Sequence, residues 1–145
     1  MKSMLEPWQA WALMSAIFAA LTAIFAKIGV GDMPSDVATF LRTLVVIALL
    51  ALILSISGQW GAMRSLSRQG TLFLVLSGLA TGASWLCYFR ALKAGEAARV
   101  APLDKLSVVL VAVFGVLFLG EKLSGPNWLG VALIAAGAVL VAYRS

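Results

Sequence analysis

Residues 99–125 read RVAPLDKLSVVLVAVFGVLFLGEKLSG. From Leu106 to Leu119 only Ser107 is polar, the composition of a segment that faces lipid. Yet Asp104 and Lys105 stand at the edge of that run, just behind Pro102. An acid or a base at the centre of a membrane helix costs about 2.5–3.5 kcal/mol on insertion scales. What the dipeptide does therefore depends on where its helix begins. A helix opening at Pro102 has eighteen residues to Leu119, about 27 Å at about 1.5 Å per residue. Proline suits the first helical position and an acid the first turn, so Asp104 would cap and Lys105 would snorkel to the headgroups. A helix opening at Ala97 has twenty-three residues. It carries the dipeptide two turns in, where each charge needs a purpose. Neighbours in sequence do not face each other on a helix, so each is expected to find its own partner.

Outward from this stretch the same composition persists. Of the 145 residues, 62% are hydrophobic and only 12% charged. A soluble domain is typically about 45–50% apolar and about 25% charged, so the chain reads as a membrane protein. The net charge of +5 does not indicate nucleic acid, because the basic residues are scattered singly and form no phosphate-binding stripe. The single cysteine, Cys87, allows no intrachain disulfide and is expected to be a small core residue. There is no histidine, no metal motif, no P-loop and no nucleophile elbow. Neither an enzyme nor a cofactor is expected.

A hydrocarbon core about 30 Å thick takes about 20 apolar residues per helix. Five segments meet this, at about 8–28, 37–57, 71–92, 97–119 and 127–143. They are twice the length of barrel strands and do not alternate in polarity. The prediction is one all-α domain over residues 1–145, a polytopic bundle of five transmembrane helices with its termini on opposite sides. The first apolar segment is too long for a signal-peptide core and is read as an uncleaved span. Small residues recur at four-residue spacing: Ser15, Ala19 and Ala23; Ala16 and Ala20; Gly78 and Gly82; Ala132 and Ala136. Such rows let helices approach closely, either within the chain or against a second copy.

FAKIG at the end of the first span, FLRTLV opening the second and WLCYFRALKAGEAARVAPLDKLSVV through the fourth resemble the EamA domain. So does LFLGEKLSGPNWLGVALIAAGAVLV at the end. EamA proteins belong to the drug/metabolite transporter superfamily. The resemblance covers nearly the whole chain and implies secondary transport of a small organic molecule across the inner membrane. Most members carry two inverted five-span repeats, and this chain resembles one of them, so a second repeat is implied as partner. Inverted-repeat transporters place the substrate site at the repeat interface near the midplane. The resemblance also favours the earlier start of the fourth helix.

Several residues stand out as candidates for that site. Arg42 lies a few residues into the second span, either snorkelling or meeting Asp104 or a substrate anion. Lys27 closes the first span and is read as a snorkel. Trp85 and Tyr88, three apart on the third span, are either interfacial belt or a substrate-facing surface for planar or cationic groups. The expected pathway group is thus Asp104, Lys105, Arg42, Trp85 and Tyr88. Pro102, Gly78, Gly82 and Glu121 are expected to be structural, with Glu121 capping the helix that follows it.

The flanking cations hardly vote on orientation. Lys27, Arg90, Lys93, Arg99 and Arg144 fall on one side, and Lys2, Arg64, Arg68 and Lys122 on the other. Adding Arg42 and Lys105 gives seven against four, a mild bias for an outside N-terminus. If those two are buried functional groups, the even count predicts insertion in both orientations and an antiparallel homodimer. The rival expectation is a non-transporting subunit that assembles with another membrane protein.

Overall fold

The computed structural model describes residues 7–143, so Lys2 and Arg144 of the charge count lie outside the described residues. These residues fold as helices: α1 (Pro7–Val30), α2 (Ser35–Ser57), α3 (Arg68–Ala94), α4 (Ala97–Asp104), α5 (Leu106–Leu119) and α6 (Gly125–Ala142). A 3-10 turn, Gln59–Ser65, lies in the basic linker between α2 and α3. There is no strand among the described residues. Five segments are long and apolar enough to cross a membrane: Trp8–Val30, Ser35–Ser57, Arg68–Ala94, Ala97–Leu119 and Gly125–Ala142. The chain is an all-α, multi-pass membrane protein.

Side-chain burial agrees with a lipid solvent. Of the large apolar side chains among the described residues, only Phe89 and Leu92 fall, with Val30, in the buried class, while Ile56 is 79% and Phe118 78% exposed. In water such surfaces would drive aggregation, whereas in a bilayer they are the solvated face. Cys87 departs from its expected place, since it is exposed rather than buried in a core.

The chain forms two compact units. One comprises α1 as far as Lys27 with α4, α5 and α6, and the other runs from Ile28 to Lys93. In the second unit α2 and α3 show complementary stripes. Thr39, Arg42, Thr43 and Val46 are buried or half-buried at helical spacing on α2. Gly82, Trp85, Leu86, Phe89 and Leu92 do the same on α3. The stripe stops at Gly82, and residues 71–81 are exposed. A Cβ placed on Gly78 or Gly82 would meet nothing within 4 Å, so no close helix contact in the described chain uses that pair.

The fourth span is not one continuous helix. It opens at Ala97 rather than at Pro102, and it is interrupted at Lys105, which has φ −70° and ψ −3°. A ψ near zero departs from the α-helical value of about −42°. The Lys105 amide is shared between the carbonyls of Ala101 (3.3 Å) and Pro102 (3.1 Å), the tightening typical of a 3-10 step. Pro102, three residues earlier, has no N–H to give the Ala98 carbonyl, which thins the ladder in the turn before the interruption.

Candidate functional site

Away from the span ends, charge sits at Arg42 and at Asp104 with Lys105 among the described residues, and each place is described within its own unit. On α2, Arg42 lies seven residues beyond Ser35, about 10 Å along the axis. Its guanidinium carbon stands 4.2 Å from the centroid of the Trp85 ring and 5.6 Å from that of Phe89. Trp85 and Phe89 are four apart on α3 and so share a face. A ring face attracts a cation through its quadrupole, most strongly for tryptophan. Arg42 is half-buried, and no acid or hydrogen-bond acceptor takes its N–H groups among the described residues. A ring face offers the charge a partner without accepting a conventional hydrogen bond from the guanidinium N–H groups.

Below this stack, polar groups on α2 are satisfied locally. The Thr39 hydroxyl donates to the Ser35 carbonyl at 2.8 Å and the Thr43 hydroxyl to the Thr39 carbonyl at 2.8 Å. Such back-bonding lets a threonine sit in an apolar span without another partner. At the end of the unit Arg90 pairs with Asp36 at 3.1 Å, and the Lys93 ammonium donates to the Met33 carbonyl at 2.9 Å. These contacts tie the end of α3 to the α1–α2 turn and the start of α2. Tyr88 is half-buried on α3, one position before Phe89.

In the other unit, Asp104 and Lys105 lie seven and eight residues beyond Ala97. The expectation that each needs its own partner is corrected. The Lys105 ammonium reaches the Asp104 carboxylate at 3.4 Å. The backbone between them is helical, with Lys105 at φ −70°, and it is the long lysine stem that crosses the 100° between neighbours. Asp104 does not cap α5, which starts without a side-chain cap bond. The pair is partly exposed, at 35% for the Asp104 side chain and 54% for that of Lys105.

Glu121 does not cap the following helix either. The N-cap of α6 is Ser124, with no side-chain cap bond. Instead the chain turns at Gly120, whose φ of +68° favours glycine. The Glu121 amide donates to the Gly115 carbonyl at 3.1 Å. The carboxylate folds back over Gly115, where an added Cβ would stand 2.5 Å from Glu121 Oε2. Gly115 thus makes room for Glu121.

Sequence reasoning missed Phe89 and Gly115. The signal for Phe89 was available, since it follows Trp85 by one helical turn. The signal for Gly115 was not, because the fold-back depends on the turn conformation at Gly120. It also took Lys27 for a snorkel. The structure has its ammonium donating to the Gly95 carbonyl at 2.8 Å, closing the α3–α4 turn.

With this geometry in place, the similarities to known proteins can be set beside it. The pattern of the EamA-like transporter family matches residues 6–143. The chain is 64% identical over 139 residues to a Sinorhizobium protein named "Uncharacterized transporter in cobO 3'region", covering 96% of this chain and 99% of that one. It is 29% identical over 136 residues to the Bacillus subtilis "Uncharacterized transporter YxxF", covering 92% of this chain but 42% of the Bacillus protein. No solved structure matches.

Proposed function

The chain belongs to the EamA-like transporter family, and from that premise we propose that it carries a small organic solute with an acidic group across the inner (plasma) membrane. The observation that carries this reading is Arg42, a guanidinium within a span whose carbon lies over the rings of Trp85 and Phe89. A fixed guanidinium presents a fork that matches a carboxylate. The adjacent rings suit a planar solute, with Tyr88 on the same helix as a further polar contact. Solvent for the rest of the surface is the lipid bilayer.

We place Asp104 and Lys105 on the same pathway. The interruption of the fourth span falls on them, and transporters commonly build ion and substrate sites from broken helices. A proton-coupled step would run through this acid–base pair. Because one five-span repeat supplies half of a two-repeat site, the working unit is a pair of copies in opposite orientation, or this chain with a homologous repeat. The near-even distribution of flanking cations supports insertion both ways.

Flux into liposomes tests the reading. Purified protein, reconstituted and offered a panel of anionic, neutral and cationic solutes, is expected to accumulate an anionic one, and Arg42→Gln to abolish this while expression and insertion persist. Lys105→Ala is expected to abolish flux without abolishing assembly. Adding two lysines to one set of loops should fix orientation and reduce flux, and an oppositely biased variant should restore it. No flux of any solute by well-inserted protein, together with stable co-purification of another membrane protein, would establish the subunit reading instead.

A further inference from the structure

At the ends of three helices of the first unit lies a pocket of about 490 Å³. It is lined by Lys27 from the last turn of α1, Gly95 and Glu96 from the α3–α4 turn, and Arg99 from the first turn of α4. Val100, Leu103 and Ala142, the last residue of α6, supply an apolar wall. The volume lies within the range of about 300–1,000 Å³ common for ligand sites.

Three features of the lining define what fits. First, its charged members are two cations, Lys27 and Arg99, against one acid, Glu96. Second, the acid is weakly committed. Its 3.3 Å pair with Arg99 has side chains 42% and 76% exposed, and pairs so exposed hold little net energy and exchange readily. Third, the α4 amides of Arg99 and Val100 bond to the Glu96 carbonyl, but no side chain caps the helix. Its positive dipole end therefore faces the same region. The first and third features favour an anion, and the second leaves Glu96 able to turn outward and yield Arg99 to it.

The pocket's position narrows the class of anion. Lys27, Arg99 and Ala142 all mark ends of membrane spans, which is the depth of lipid phosphates rather than of the bilayer core. From the polar floor, Val100 and Leu103 continue along α4 into the span, and Leu103 is exposed. A free phosphate would use the cations and leave that apolar wall idle. A phospholipid uses both. Basic pockets between membrane helices are sites of this kind. We propose that this pocket holds the phosphate of an anionic phospholipid whose acyl chain lies along Val100 and Leu103, independently of the transport site.

The test uses purified protein in neutral detergent, titrated with phosphatidylglycerol, phosphatidylcholine or sodium phosphate. Retained lipid is read by native mass spectrometry and thermal unfolding by tryptophan fluorescence. Phosphatidylglycerol is expected to be retained and to raise Tm, with the other two inert. Arg99→Gln should weaken phosphatidylglycerol binding about fivefold. Lys27→Gln disturbs the bond to Gly95 and could lower stability by itself, so Glu96→Gln serves as the independent arm: removing the acid should tighten binding. Equal retention of phosphatidylcholine would overturn the proposal. So would stabilisation by sodium phosphate alone, which would make this a free-anion site, or unchanged lipid preference in both Arg99→Gln and Glu96→Gln.

Discussion

Arg42 and Lys105 are both cations inside apolar spans, and the protein treats them differently. Arg42 sits on a regular helix with its guanidinium carbon over two rings and with no ion pair among the described residues. Lys105 sits where its helix is broken, and its charge is met by the preceding residue. The difference follows from the side chains. A guanidinium is flat and weakly hydrated, so an aromatic face can hold it without consuming its in-plane donors. An ammonium is a compact, strongly hydrated charge that an aromatic face serves less well, so it takes a carboxylate. One arrangement keeps hydrogen-bonding capacity open, and the other uses it locally. On this comparison we propose that Arg42 receives a group and that Lys105 exchanges one.

The strongest way to break the comparison is to swap the two chemistries. Arg42→Lys keeps the charge but loses the fork and the flat stack. Uptake is expected to fall on the order of a hundredfold, about 2.7 kcal/mol in the barrier. Lys105→Arg keeps a cation next to Asp104 and should retain uptake within about threefold, which is under about 0.7 kcal/mol. Initial rates in proteoliposomes, normalised to inserted protein, decide it. Equal losses at the two positions would mean that charge alone matters at both.

A second experiment sharpens the role of the rings. Trp85→Phe leaves a weaker aromatic face under Arg42, and Trp85→Ala leaves only Phe89 at 5.6 Å. A partly desolvated cation–π contact is worth about 1–2 kcal/mol, so Trp85→Ala should weaken solute affinity about tenfold and Trp85→Phe by less. The concentration dependence of uptake checks the order. If both variants match wild type, Arg42 is positioned by something other than its stack.

What could be read from sequence followed from what each property depends on. The five spans are set by composition over about twenty residues, a signal that no packing detail can erase. The family was legible in the tail LGEKLSG and the fourth-span segment. The Arg42–Trp85 stack was half-legible, since both residues were candidates, but nothing in the sequence says that α2 and α3 bring them face to face. The Asp104–Lys105 contact was read wrongly because helical periodicity gives the directions in which side chains leave the helix, and a long lysine stem can reach across them. The seat of Glu121 on Gly115 depends on one left-handed residue, Gly120, which composition does not reveal.

Asp104 has Lys105 at 3.4 Å, and a double-mutant cycle measures what that contact is worth. Asp104→Asn combined with Lys105→Gln should give a coupling below about 1 kcal/mol, as for other partly exposed pairs. Thermal unfolding in detergent provides the free energies. A coupling of several kcal/mol would mean that the pair is shielded from solvent in the assembled protein.

The smallest effect is expected at the far end of α5, where the comparison extends from cations to acids. Asp104, at the start of α5, is met by a cation. Glu121, just past the end of α5, is instead folded over a glycine and bonded through its backbone. In Gly115→Ala the new methyl would come 2.5 Å from Glu121 Oε2. The atom in the way is the tip of a flexible, exposed side chain, so it can swing aside. Alanine also gains about 1 kcal/mol over glycine in a helix interior, offsetting part of the loss. The net change should stay below about 1 kcal/mol, and the informative quantity is the coupling. Once Gly115→Ala has displaced the carboxylate, a further Glu121→Gln should cost nothing, whereas Glu121→Gln alone should lower folded yield more than it alters solute affinity. Tm and detergent-extracted yield of the two single variants and the double variant give the answer. Additive losses would show that Glu121 acts elsewhere than on Gly115. Normal yield with abolished uptake in Glu121→Gln alone would move this acid from the scaffold to the transport path.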